Sequence, residues 1–117
     1  MIKCLALIKR KEGISHEAFM NYYENNHAPL ARKFMPTALH YERRFLQPDT
    51  LGWVEGEANE MYDCITELWF EDATAMNAAL THLAKPEVAA IIVEDEARFV
   101  DRRKIRFFVI ERECRSE

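Results

Sequence analysis

The chain has 117 residues, 49% of them hydrophobic, which suits one compact domain spanning residues 1–117. Twenty acidic residues against sixteen basic ones give a net charge of −4, which argues against nucleic acid as a partner. No apolar run approaches the roughly 20 residues of a membrane span, and the N-terminus does not resemble a signal peptide, so we expect a cytoplasmic protein with no membrane partner.

The chain opens with a strand pattern followed by a helix pattern. Residues 2–9 are an apolar run bounded by charges and followed by Gly13, which is typical of a strand covered on both faces. Ser15 is a good helix N-cap, and Ile14 and Phe19 occupy the positions of a hydrophobic staple. A helix is therefore predicted to start at about Ser15.

The apolar stripe of this helix contains one imidazole. Helical spacing places His27 four residues after Tyr23, on a stripe that also includes Phe19, Tyr22, Leu30 and Phe34. Pro29 lacks a backbone donor, so we expect it to kink or end the regular helix just past Asn26.

The remaining elements alternate between strand and helix patterns. Residues 39–47 predict a strand with Leu39, Tyr41 and Phe45 on one face and His40, Glu42 and Arg44 on the other. After a long loop over residues 48–60, the patterns predict a strand at 62–70, a helix at 72–83, a short helix at 86–95 and a strand at 105–110.

This order predicts an α+β fold of the ferredoxin-like βαββαβ type with an extra short helix. Right-handed crossovers then give a four-stranded antiparallel sheet with helices on one face. The first and last strands are apolar at almost every position, so the second face also needs a cover. We therefore expect a homodimer in which two sheets pack face to face.

Strong sequence motifs for cofactor chemistry are absent. Gly52 and Gly56 form no phosphate loop or dinucleotide fingerprint. The odd cysteine count lacks CxxC spacing, and the other histidines do not pair at ligand spacing. The sequence predicts neither a disulfide framework nor a metal site, and we expect no metal or organic cofactor.

His27 is the leading candidate for chemistry, with Tyr23 and Asn26 nearby and Tyr41 facing it from the sheet. Imidazole takes and gives a proton near neutrality, and a tyrosine hydroxyl polarises a carbonyl or steadies an enolate. The alternative is that His27 is a hydrogen-bonded core residue, because a lone histidine on an apolar stripe often is.

The 62–70 strand offers further candidates on both faces. Cys64 shares a face with Thr66 and Leu68, where it is either a nucleophile activated by His27 or an inert buried thiol. The opposite face carries Asp63 and Glu67, either as an acid and base pair or, as we expect, as ion-pair partners of arginines such as Arg43 or Arg106.

The chain resembles the EthD-like family of dimeric α+β barrel proteins, and the similarity runs from the first strand to the last. The blocks that carry it are residues 9–19, 26–30, 62–70 and 95–101. The resemblance implies a homodimer whose two sheets form a barrel, and a pocket in each subunit lined by His27. Members of this superfamily include isomerases, polyketide cyclases, dehydratases, monooxygenases and haem-degrading enzymes, so the fold alone does not define a reaction.

Among these relatives the chain is similar to methylmuconolactone methylisomerase around His27 and Tyr41. The cysteine nucleophile of that enzyme would fall at Leu68 rather than at Cys64, which departs from its mechanism. The resemblance nevertheless implies that His27 and Tyr41 are catalytic. Substrate contacts would come from Tyr23, Asn26, Cys64, Thr66 and Leu68.

Two classes of function follow. The first is a cofactor-free isomerase, lyase or dehydratase/cyclase that acts by His-mediated proton transfer on a small hydrophobic, aromatic, lactone or polyketide-like intermediate, for example in aromatic degradation. The alternative is a non-catalytic protein that binds a hydrophobic metabolite or haem, or that assists an oxidative degradation system.

Overall fold

The structure, a computed structural model, describes residues 1–47 and 61–117, so the predicted loop over residues 48–60 lies outside the described residues. After the first strand, three helical segments follow one another without a break. The elements are β1 (Ile2–Ile8), α1 (His16–Tyr22), a π-helical turn (Tyr23–His27), α2 (Ala28–Phe34), β2 (Ala38–Phe45), β3 (Cys64–Phe70), α3 (Ala73–Leu83), α4 (Pro86–Glu96), a 3₁₀ turn (Arg102–Lys104) and β4 (Arg106–Val109).

The four strands form one antiparallel sheet in the order β2-β3-β1-β4. The two central strands, β1 and β3, are therefore adjacent although they are not consecutive in sequence. This order, with helices packed on one face, is the ferredoxin-like α+β fold that the sequence predicts, and the prediction is confirmed. None of the described helices has the length and apolar character needed to cross a bilayer.

The core between the sheet and the helices consists of two clusters. The first contains Cys4, Ala31, Met35, Ala38, Leu68, Phe70 and Ala79. The second contains Ile8, Phe19, Tyr23, Ala28, Cys64, Phe99 and Val100. Tyr41 packs against both clusters, so the aromatic ring of β2 lies where the two halves of the core meet.

Helix initiation follows the sequence prediction, whereas the effect of Pro29 does not. Ser15 caps α1 by accepting a hydrogen bond from the backbone N–H of Ala18 at 3.0 Å. Of the two predicted outcomes, a kink or an end just past Asn26, the end is wrong, because the chain stays helical into α2. A π turn begins at Tyr23, where Ala28 N–H donates to the carbonyl five residues earlier. Pro29 then lies in the first turn of α2, where helices tolerate a missing donor.

A bulge in β2 overturns the predicted position of Leu39. Ala38 pairs with Phe70 and His40 pairs with Trp69, which are consecutive residues of β3, so Leu39 is the extra residue of a β-bulge. Ala38 takes the buried position at 2% exposure, while Leu39 is 60% exposed. Beyond the bulge the alternation holds, with Tyr41 opposite Leu68 on the helix-covered face.

The other face of the sheet, here termed the open face, carries apolar side chains without a helical cover. Strand pairing places Leu5 between Glu67 and Phe108, and Phe108 is 52% exposed. Trp69 lies on the same face, where the His40 ring stacks on it at 4.4 Å and the Lys3 ammonium lies 4.5 Å from its centre. The open face therefore combines apolar and cationic groups around one indole ring.

Candidate functional site

His27 is enclosed at the end of the π turn, with its side chain fixed on several sides. Its Nδ1 lies 2.8 Å from Oδ2 of Asp95, and the residue is 8% exposed. The ring meets Tyr23 edge-on at 5.3 Å and packs against Phe99 at 5.0 Å. A carboxylate at Nδ1 favours the tautomer with the proton on that nitrogen. Nε2, which has no hydrogen-bond partner within residues 1–47 and 61–117, then keeps its lone pair.

Asp95 is the functional candidate that the sequence analysis missed. It lies near the end of α4, 68 positions from His27, and is 5% exposed. Its Oδ1 accepts a 2.6 Å hydrogen bond from the Tyr22 hydroxyl, and Arg98 Nη1 lies 3.6 Å from the same oxygen. Both residues stand out in the sequence, because Asp95 opens the 95–101 block that resembles the EthD-like family and Tyr22 lies on the apolar stripe of the first helix. Nothing in the spacing, however, connects the two.

Tyr23, Thr66 and Cys64 form a hydrogen-bonded group beneath His27. The Tyr23 hydroxyl lies 2.6 Å from Thr66 Oγ1, which lies 3.7 Å from Cys64 Sγ. Burial raises the pKa of Cys64 to about 11 and raises the pKa of Tyr23 well above its usual value. Near neutral pH the Cys64 thiol is therefore protonated and fully buried, which favours the inert core thiol over the nucleophile.

Arg43, which is itself bound to the π turn, holds Tyr41 beside this group. Burial raises the pKa of Tyr41 to about 12, so its hydroxyl stays protonated and acts as a hydrogen-bond donor near neutrality. The Arg43 guanidinium lies 4.6 Å from the centre of the Tyr41 ring and donates to the Tyr41 carbonyl at 3.0 Å. Two further bonds of 2.8 Å join Arg43 to Glu24 on the π turn.

Tyr41 lines a cleft of about 480 Å³ between β2 and the helical segments, here termed the β2 cleft. The π turn, α2 and β2 contribute its lining. The lining residues are Glu24, Ala28, Pro29, Arg32, Leu39, His40, Tyr41 and Arg43. His27 does not line this cleft, so the two predicted catalytic residues have different surroundings.

Two other predicted contact residues do not join the group of Tyr23, Thr66 and Cys64. Asn26 is exposed on the π turn and makes no side-chain hydrogen bond with the described part of the chain. Leu68 belongs to the first core cluster, with Cys4 and Ala38, rather than to the cluster around Tyr23. The structure thus brings Tyr23, Thr66 and Cys64 together and places His27 against Tyr23.

The two carboxylates of the 62–70 segment are held by cations, although not by the predicted arginines. Asp63 accepts from the backbone N–H of Arg10 at 2.8 Å and lies 3.3 Å from Lys9 Nζ and 3.1 Å from His16 Nδ1. Glu67 pairs with Arg44 at 2.9 Å, so Arg43 and Arg106 were the wrong partners. Both are ion-pair acceptors and do not act as an acid and base pair.

One cluster on the open face has the donors of a metal site. The ligand atoms of His40, Glu42 and Glu67 lie within 4.8 Å of one another. Arg44 Nη2, however, contacts both Glu42 and Glu67. Because the guanidinium already supplies positive charge to these carboxylates, the arrangement is complete as an ion-pair network.

Comparison with known proteins identifies relatives in both sequence and fold. The model of the EthD domain matches residues 11–103. An EthD family protein from Bacillus halodurans is 21% identical, with a TM-score of 0.66 and coverage of 97% of this chain and 99% of that chain. A protein from Arabidopsis thaliana is 19% identical, with a TM-score of 0.63 and full coverage of both chains.

A third solved structure belongs to a protein that is dimeric. It is a dimeric protein of unknown function with a ferredoxin-like fold from Bacteroides fragilis, 13% identical, with a TM-score of 0.58 and 94% coverage of each chain. Among curated proteins, none matches the sequence. At these identities the solved structures establish the shared fold.

Thiol reactivity distinguishes an inert Cys64 from a nucleophilic one. Cys4 and Cys64 are fully buried and burial raises both pKa values, whereas Cys114 is exposed. In the native protein at pH 8 we expect one thiol per chain to react rapidly with Ellman's reagent, and all three in denaturant. A Cys114→Ser variant should lose the rapid phase. Rapid modification of Cys64, located by peptide mass spectrometry, would contradict this assignment.

Proposed function

The chain belongs to the EthD domain family, and we propose that it is a small enzyme that uses His27 for proton transfer on an aromatic, lactone or polyketide-like intermediate. Isomerisation, dehydration, ring closure and lyase reactions all require a proton to leave one carbon or oxygen and return to another. Such chemistry needs a group that both accepts and donates near neutrality, and imidazole is suited to that task.

The observation that carries the proposal is the 2.8 Å contact between His27 Nδ1 and Asp95 Oδ2. A carboxylate that holds Nδ1–H orients the ring and leaves Nε2 as the base. It also stabilises the imidazolium that forms once Nε2 has taken a proton. Tyr22 anchors the other carboxylate oxygen, so the acceptor cannot rotate away from His27 without losing a second hydrogen bond.

The neighbouring residues have supporting roles in this proposal. Tyr41 donates a hydrogen bond to a substrate carbonyl, consistent with a pKa raised to about 12 by burial. Tyr23, Thr66 and Cys64 form the wall on the sheet side, whereas Leu68, in the other core cluster, has no direct role. Asn26 contributes a polar group from the exposed side of the π turn.

His16 provides a matched control for a test of His27. Both imidazoles offer Nδ1 to an aspartate, at 3.1 Å for His16 with Asp63 and 2.8 Å for His27 with Asp95. On a substrate found by screening lactones, quinones and polyketide-like compounds, His27→Gln should lower kcat about 10²–10⁴-fold, the usual contribution of general acid–base catalysis. His16→Gln should keep near-normal kcat once the folded fraction is measured by circular dichroism.

Three outcomes of this assay separate the alternatives. Full activity in His27→Gln, or an equal loss in His16→Gln, would refute the proposed role. Ligand binding without turnover, unaffected by His27→Gln, would favour the non-catalytic binding or accessory function. A Soret band after haem titration that depends on His27 would identify haem as the ligand.

We also propose that the protein is a homodimer in which the open faces of two sheets pack together. Apolar side chains at the centre of that face, including Leu5 and Trp69, have no helical cover, and exposed apolar patches of this kind mark interaction surfaces. The dimeric neighbour with the same fold supports the proposal.

Adjacent phenylalanines of β4 test this interface. Phe108 pairs with Leu5 and shares the open face, whereas Phe107 pairs with Ala6 and shares the helix-covered face. The two residues are 52% and 44% exposed, so a charge at either should be tolerated in the monomer. Light scattering should show a dimer for the wild type and for Phe107→Glu, and a monomer for Phe108→Glu. A wild-type monomer at micromolar concentration would refute the proposal.

A further inference from the structure

The β2 cleft contains an arginine that is fixed in place without a carboxylate. Arg32 Nη1 donates to the carbonyls of Met35 at 3.2 Å and Ala38 at 2.7 Å, which lie at the end of α2 and the start of β2. Within the described residues Arg32 forms no ion pair, and Nη2 and Nε have no protein acceptor. Its guanidinium is thus positioned in advance of any ligand.

The other charges of the cleft already satisfy one another. Glu24 receives two hydrogen bonds of 2.8 Å from Arg43, and this contact lowers the pKa of Glu24. The pair is close to neutral as a unit and has little capacity to bind an external ion. With Arg32 and Arg43 against Glu24, the lining carries one excess positive charge, which is that of Arg32.

The rest of the lining combines apolar groups with the His40 imidazole, and the β-bulge creates part of it. The bulge turns Leu39 outward to 60% exposure, into a cleft that also contains Ala28, Pro29 and the Tyr41 ring. Bulges commonly redirect a side chain beside a functional site. A volume of about 480 Å³ is within the range of small-molecule pockets, which combine apolar walls with few polar anchors.

We propose that the β2 cleft binds a small organic carboxylate with a flat apolar body, with Arg32 holding the carboxylate and Leu39, Pro29 and Tyr41 contacting the body. Guanidinium and carboxylate are matched in geometry, and their hydrogen bonds are among the stronger ones in proteins. This binding site goes beyond the proposed function, because His27 does not line the cleft. Binding is measurable without catalysis.

Three probes of graded chemistry test the cleft. Benzoate has both the charge and the ring, benzamide has the ring alone, and acetate has the charge alone. Titrated into ¹⁵N-labelled protein, benzoate should shift the amide resonances of residues 28–43 in a saturable way. Benzamide and acetate should each bind at least about tenfold more weakly than benzoate, and a factor of ten corresponds to about 1.4 kcal/mol. Equal affinity for benzoate and benzamide would overturn the inference.

Variants separate the anchor from general charge effects. Arg32→Gln should weaken benzoate binding about tenfold, while Arg112→Gln, the same change in the exposed C-terminal tail, should not. Because Arg32→Gln also removes two backbone contacts, Leu39→Glu serves as a second variant at an exposed position and should abolish binding by repulsion. Unchanged binding in either cleft variant would contradict the inference.

The same titration in His27→Gln distinguishes this inference from the proposed function. His27 does not line the cleft, so benzoate affinity should be unchanged. If benzoate fails to bind the wild type while His27→Gln loses turnover of a neutral substrate, the cleft assignment fails and the proton-transfer proposal stands.

Discussion

The buried contact between His27 and Asp95 is the constraint on which the arrangement of this half of the molecule depends. A carboxylate that is 5% exposed is strongly unfavourable without partners, and Asp95 has His27 on one oxygen and Tyr22 on the other. These bonds tie the end of α4 to the π turn and α1. The fold therefore cannot satisfy Asp95 without also fixing the orientation of the imidazole.

Two local irregularities place side chains where regular elements would not. The π turn from Tyr23 to His27 adds a residue to the helix, which allows α2 to start before Pro29 without a break. The bulge at Leu39 turns one apolar side chain out of the core and lets Ala38 fill the buried position. Both irregularities border the β2 cleft, since Glu24 of the π turn and Leu39 of the bulge line it.

The sequence predicts the elements of the fold because their signals are local. Ser15 caps a helix as its position suggests, and the alternation around Tyr41 predicts its face of β2. The π turn and the bulge were missed because the same residues are compatible with regular geometry until the core is packed. Asp95 was missed for a related reason, since its partners lie in a helix about 70 positions earlier.

In the candidate site, too, the sequence predicts which residues take part better than it predicts where they lie. Sequence reasoning selected Tyr23, Thr66 and Cys64 by strand parity and helical spacing, and these residues do form one hydrogen-bonded group. It could not separate them from Asn26, which is exposed, or from Leu68, which packs in the other cluster. Nor could it show that Arg32 is fixed by two carbonyls, because that requires the relative positions of α2 and β2.

The central claim is that Asp95 holds the proton of His27 on Nδ1 and leaves Nε2 as a base, and ring-nitrogen NMR tests it most directly. Long-range ¹H–¹⁵N spectra of the protein at pH 8 give the tautomer of each histidine from its nitrogen shifts. The account predicts a protonated Nδ1 and an unprotonated Nε2 for His27, with this preference lost in Asp95→Asn. A proton on Nε2 in the wild type, or an unchanged tautomer in the variant, would contradict it.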